Sequence, residues 1–348
     1  MLDLTPSLVL LGAGAVSVVL AVALTPPGLP RRDLAAQGGV ALVAMAVIAM
    51  ADTLDVVILA LLAAAVARAA LAGSRKLAAR LRPPVVAAAL LSLALVFGRV
   101  QGPDLLARFS AVGLVAGLAA GVGVLPYIHS HDPDDASEPD AVWIGLLGPV
   151  LAAAVLIRAR DLLIPDAGGQ LGAMLIGLGL LNIAWGTLAT WLTKRDSAAW
   201  HYSFMADWGL ALCGFGILVA DGRSAALLVL FGVVLGRFPL QAAARRPEAD
   251  GASTVRPIKL VVGALLAGSA PFVGFAARVL LLRGAVQISW PLAVVLVIGL
   301  LLWLPPSLRL GRSLKVPRGR QALALAAVLA INVAVGLYPL PILRLAGS

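Results

Sequence analysis

This sequence holds about twelve apolar runs, each near the roughly 20 residues that a helix needs to cross a bilayer. They lie at 7–25, 34–50, 56–72, 84–99, 109–127, 141–158, 169–191, 203–221, 224–241, 257–281, 287–305 and 321–342. Unpaired backbone groups are too costly in hydrocarbon for anything but helices or closed barrels, and runs this long read as helices. Apolar residues make up 61% of the 348, and charged residues only 13%. A soluble core of that size cannot hide so much apolar surface. The expected fold is an all-α polytopic membrane protein with about 11 or 12 transmembrane helices. Its longest hydrophilic loops, 129–140 and 242–256, are too short to be domains, so 1–348 reads as a single membrane domain.

The net charge of +10 would suggest nucleic acid in a soluble chain. Here the cations sit in short loop clusters: Arg31 and Arg32; Arg75, Lys76, Arg80 and Arg82; Lys194 and Arg195; Arg245, Arg246, Arg256 and Lys259; and Arg309, Arg312, Lys315, Arg318 and Arg320. Given the runs above, all fall on one side, leaving residues such as Arg99 and Arg158 opposite. This is the positive-inside pattern, and it places both termini on the outer face of a prokaryotic inner or plasma membrane. No nucleic-acid partner is expected. The opening MLDLTPS lacks a basic n-region, so no cleaved signal peptide is expected. The single cysteine, Cys213, lies within a run and reads as a buried apolar residue. No cysteine cluster or Gly-x-x-x-x-Gly-Lys loop is present, so neither an iron–sulfur centre nor nucleotide hydrolysis is expected. No cofactor is expected, and energy must come from an ion gradient or a partner subunit.

Two runs are interrupted by proline, at Pro126 and at Pro271. Paired broken helices in two halves of a membrane chain point to an inverted repeat with central sites; frequent Gly and Pro in membrane helices is the plainer account. After Pro126 comes an acidic connector with His129, His131, Asp132, Asp134 and Asp135. His-x-His with carboxylates offers metal ligands, but a solvated loop uses the same turn-forming residues. A loop in gating or subunit contact is expected, and no metal. Trp143, Trp185, Trp191 and Trp200 lie near run ends, where tryptophans anchor at the interface.

Three passages carry a resemblance. LPYIHSHDPDDASEPDAVWIGLLGPVLAAAVLIRAR places Pro126, Tyr127, Pro139 and Arg160 at matching spacing. WHYSFMADWGLALCGFGI matches at Tyr202, Ser203 and Gly209. APFVGFAARVLLLRGA matches at Pro271, Gly274, Phe275 and, with Arg for Lys, Arg278. Together they resemble the antiporter-like, proton-conducting membrane subunits shared by respiratory complex I, Mrp antiporters and membrane-bound hydrogenases. The resemblance implies two inverted five-helix bundles, each with a discontinuous helix. Approximate halves would be 34–160 and 169–305, with 306–348 a C-terminal loop and helix, in a chain shortened at its N-terminus.

In that family a Glu–Lys pair and a second Lys relay protons through the first bundle. Their positions fall here at Leu62 or Ala63, Gly121, and Leu151 or Ala152, all apolar. In the second bundle, Arg278 takes the broken-helix cation position, Arg237 a central Lys position, and Asp207 a position often held by His. Relay needs side chains that change protonation; arginine keeps its proton and supplies only fixed charge. Arg278, Arg237 and Asp207 are therefore the candidate ion-path or buried-charge residues, Arg278 being also placed to snorkel beside Arg283. The implied function is a divergent antiporter-like subunit of a complex-I-like, Mrp-like or hydrogenase-like ion-translocating assembly. It is impaired as an autonomous pump, partly structural, and carries no catalytic chemistry of its own, even within a NADH-quinone oxidoreductase-like translocase. Its partners are other integral membrane subunits, lipid, and a soluble protein on the cytoplasmic face. Two alternatives stand: a membrane subunit of inorganic-carbon uptake working with a cytoplasmic zinc protein, and an unrelated polytopic carrier.

Overall fold

The computed structural model describes residues 5–29, 31–71, 77–99, 104–127, 140–162, 165–244, 257–314 and 318–345. Every regular element among them is helical. Nine of the described helices are long and apolar enough to cross a membrane. Large apolar side chains such as Val19, Leu59, Trp290, Ile298 and Leu323 face outward, as lipid-solvated helices require.

Five helices precede the first break: α1 (Thr5–Leu24), α2 (Arg31–Met50), α3 (Leu54–Leu71), α4 (Leu77–Arg99) and α5 (Asp104–Val122). After it, α6 (Asp140–Val142) and α7 (Gly148–Leu162) flank a π-helical turn, Trp143–Leu147. The long helix α8 (Pro165–Leu192) turns back through a short link into α9 (Asp196–Gly216). α10 (Ala220–Gly232) and α11 (Phe238–Ala244) enclose a second π turn, Val233–Arg237. The run at 257–281 is two helices, α12 (Pro257–Ala267) and α13 (Val273–Ile288), parted at Pro271. α14 (Trp290–Leu302), α15 (Leu304–Ser313), α16 (Arg320–Leu337) and α17 (Leu340–Leu345) complete the chain. One apolar core joins Leu10, Met45, Leu61, Leu151, Trp208 and Leu281, so helices before and after the first break share an interior.

α9 begins several residues before the apolar run at 203–221. Its polar-looking start is buried: Trp200, His201 and Ser203 are 1%, 2% and 0% exposed. Trp200 packs in an apolar cluster with Leu24, Leu240, Val262 and Leu310, and the rest of α9 runs along α8. Gly172, Gly179 and Gly186 recur every seventh residue on α8, and Gly209 and Gly216 on α9. A methyl group on Gly179 would sit 2.6 Å from the Gly209 carbonyl, and one on Gly172 would sit 2.8 Å from that of Gly216. Backbones therefore touch directly, the close approach by which small residues hold membrane helices together. Arg309 fastens the far end, donating to the carbonyls of Thr193 at 2.6 Å and Lys194 at 3.2 Å, and to Asp196 at 3.2 Å. A basic residue of α15 thus satisfies carbonyls left free at the C-terminus of α8.

A π turn likewise frees carbonyls from the helical ladder. At the first, Trp208 Nε1 donates to Ile144 O at 2.9 Å. At the second, Ser17 Oγ donates to Val234 O, and Asn332 Nδ2 donates to Leu235 O at 3.3 Å. These bonds tie α9, α1 and α16 to the turns and set where Arg237 lies.

Candidate functional site

The two breaks share one construction. Each opens on a glycine with positive φ, Gly123 at 88° and Gly268 at 63°, and each has a cis peptide before the proline three residues on. Glycine suits such φ values because it has no Cβ to clash. Val124 N donates to Ala119 O at 3.1 Å, and Ser269 N to Ala264 O at 3.0 Å. Tyr127 N donates to Val124 O at 2.9 Å, and Phe272 N to Ser269 O at 3.0 Å. An indole covers the equivalent carbonyl before each break: Trp143 Nε1 donates to Gly121 O, and Trp303 Nε1 donates to Leu266 O at 2.9 Å. A guanidinium lies on each indole, Arg68 at 5.1 Å from the Trp143 ring and Arg237 at 5.3 Å from the Trp303 ring. Such contacts strengthen when desolvated, and Arg68 and Arg237 are only 7% and 3% exposed. Pro126, Pro271 and Gly274 therefore mark corresponding positions of two repeated units, with Gly274 packed against the Gly268 Cα.

Beside Arg237, the second break gathers two further ionised groups, Asp207 and Arg278. Asp207 from α9 accepts from Arg237 Nε at 2.7 Å and from Nη2 at 2.6 Å, both on Oδ2. Charge-assisted bonds of this kind are short and strong. Arg278, from the first turns of α13, lies flat against Gly268 and feels the charges of both Asp207 and Arg237. These three residues, with Asn332, Gly268 and Gly274, line a cavity of about 40 Å³. The three charged residues singled out in sequence are thus brought to one place. Arg283 stays apart, pairing with Asp221 at 2.9 Å near the surface, so Arg278 does not snorkel beside it.

The first break is packed with carbon instead. A methyl group on Gly121 would meet Leu151 at 2.9 Å, Ala87 at 3.5 Å and Leu61 at 4.0 Å. Gly121 and Leu151, two positions where the resemblance expects lysine, are in contact, and the α3 residue completing the pocket is Leu61. Leu62, reached from Pro126 by the same count that leads from Pro271 to Asp207, is partly buried beside this core. Among described residues, no group of His, Cys, Asp or Glu could hold a metal. His129, His131 and Asp132 lie outside the described residues.

Two expectations change. Trp143 and Trp200 are 3% and 1% exposed; they are internal donors rather than interface anchors, since Trp200 Nε1 reaches Ser313 Oγ at 3.1 Å and Trp143 reaches Gly121. Trp185 and Trp191 are 44% and 51% exposed, as anchors are. Sequence reasoning also passed over Arg68, Asn332 and His201. An arginine seven residues beyond Leu61, on the same face of an apolar helix, was the available sign for Arg68.

No protein-family profile matches the chain. It is 29% identical over 119 residues to NAD(P)H-quinone oxidoreductase chain 4 of Prochlorococcus marinus, covering 33% of this chain and 22% of that protein. To the protein of the same description in Synechococcus sp. it is 32% identical over 119 residues, covering 32% and 22%. The matched stretch thus spans about a fifth of those relatives' length. In fold, it matches a chain of the archaeal membrane-bound sulfane sulfur reductase complex with a TM-score of 0.79 at 18% identity, over 98% of this chain and 66% of that one. A chain of the Mrp complex from Dietzia sp. gives 0.75 at 17%, over 99% and 44%. A chain of respiratory complex I from Thermus thermophilus gives 0.73 at 19%, over 98% and 86%. This integral membrane protein thus shares its fold along its length with chains of those membrane complexes, and is similar in sequence over about a third of it to NAD(P)H-quinone oxidoreductase chain 4.

Proposed function

We propose that this chain is a membrane subunit of an ion-translocating assembly of the complex-I, Mrp or hydrogenase kind, and that it does not act as a pump by itself. The observation that carries the reading is the inequality of two like-built breaks: the second holds Asp207, Arg237 and Arg278 around a cavity, while the first is filled by Leu61, Ala87 and Leu151. A proton path needs titrating side chains near enough for water to link them. Gly121 and Leu151 offer none, and arginine does not titrate. Asp207, held by Arg237, is the one carboxylate among the described residues lining that cavity.

In this reading the first half serves as scaffold and the second keeps a charged centre whose state answers to neighbouring subunits. The assembly lies in a prokaryotic inner or plasma membrane, with the basic loops cytoplasmic and the termini outside, and the connector holding His129, His131 and Asp132 faces a partner. The division into halves at 34–160 and 169–305 belongs to the same proposal. Purification from native membranes in mild detergent tests it. The expected result is one stable particle in which this chain travels with other integral membrane subunits in fixed ratio. Recovery of the chain alone from membranes that contain it at native levels would overturn the reading.

A further inference from the structure

We propose that Arg237 and Arg278 hold a small monovalent inorganic anion, of halide size, in the cavity at the second break. The proposal deepens the reading above, since it names what the retained charges of that reading bind.

The charges do not balance. Two guanidiniums and one carboxylate line the cavity among the described residues, leaving one net positive charge there, with Arg237 buried and Arg278 partly buried. Arginine cannot shed that charge by losing a proton. Arg237 is 3% exposed and commits Nε and Nη2 to Asp207, yet its Nη1 has no hydrogen-bond partner. Arg278, partly buried, shares the lining and makes no hydrogen bond or ion pair with a described residue; the charges of Asp207 and Arg237 act on it. A buried donor without an acceptor is costly, and a guanidinium without a counterion in a partly closed cavity adds to the cost. An anion between the two guanidiniums answers both.

Cavity size selects the anion. About 40 Å³ is roughly three times what one water requires. That space suits a chloride ion with one water better than it suits a tetrahedral oxyanion or an organic acid. The water has its own partner, because Asn332 Oδ1 lines the same cavity without a donor. Trp303 closes the other face of Arg237, so the guanidinium edge is the part left to meet a ligand.

Quadrupolar line broadening of the chloride NMR signal, on the full chain in detergent, tests the site. Wild type should give excess broadening that saturates, is displaced by bromide and is untouched by sulfate at equal ionic strength. Arg278→Gln should weaken binding at least about tenfold, and Asp207→Asn should strengthen it by about tenfold, a usual size for coupled charges. The second change has the opposite sign because it frees Arg237 and removes the competing carboxylate. Absence of saturable broadening in wild type, or broadening that neither variant alters, would overturn the site. If Asp207→Asn fails to fold, Arg278→Gln decides, since that side chain has no described hydrogen bond to lose. Chloride binding in a chain that purifies without other subunits overturns the functional reading and leaves the site. A stable multisubunit particle without chloride binding does the reverse.

Discussion

At the scale of residues, the pair Asp207–Arg237 is the largest electrostatic commitment of the described interior. Breaking a buried pair leaves a charge uncompensated and costs about 3–5 kcal/mol, whereas replacing both partners with apolar residues is often neutral. Asp207→Ala should therefore lower thermal stability in detergent by an amount in that range. Asp207→Leu with Arg237→Met should recover most of it, because neither charge then remains. A double variant as unstable as the single would show that Arg237 earns its place through the Trp303 stack rather than through Asp207. The sequence made these residues visible, since a charge within an apolar run is conspicuous. Their meeting was not visible, because it depends on a π turn that rotates Arg237 toward α9 and on Ser17 and Asn332, which fix that turn from helices far away in sequence.

At the scale of elements, composition located nearly every helix, because lipid leaves apolar length as the main requirement. It misplaced the start of α9, where Trp200 and His201 precede the apolar run and are nonetheless buried, Trp200 among Leu24, Leu240 and Val262. The seven-residue glycine spacing was readable, but only its partner helix gives it meaning. Gly179→Ala puts a methyl group 2.6 Å from the Gly209 carbonyl, and such overpacking costs about 1–3 kcal/mol. Gly177→Ala, two residues away with nothing within 4 Å, should be neutral or slightly stabilising. Equal melting temperatures for these two variants would show that the α8–α9 contact is looser than described. The breaks were legible at Pro126 and Pro271. The indole over each preceding carbonyl and the arginine on each indole were not, since both contacts join residues distant in the chain.

For the whole molecule, repetition and loss go together. Two units share a glycine-led break, a proline and an indole–guanidinium stack, and one apolar core joins them. The unit whose positions match a proton relay in the resemblance has filled that space with leucine and alanine. The other keeps charge, though in a form dominated by arginine. The resemblance located both outcomes because its motifs sit beside the breaks, where backbone geometry tolerates little change. The chloride and copurification experiments address the ligand and the company of the chain. Whether a complete proton path runs through the chain is read from pH-driven proton flux in proteoliposomes containing the purified chain alone. The expected flux is no greater than in protein-free vesicles. Robust flux would contradict it, most sharply if it persisted in the double variant Asp207→Asn, Arg278→Ala.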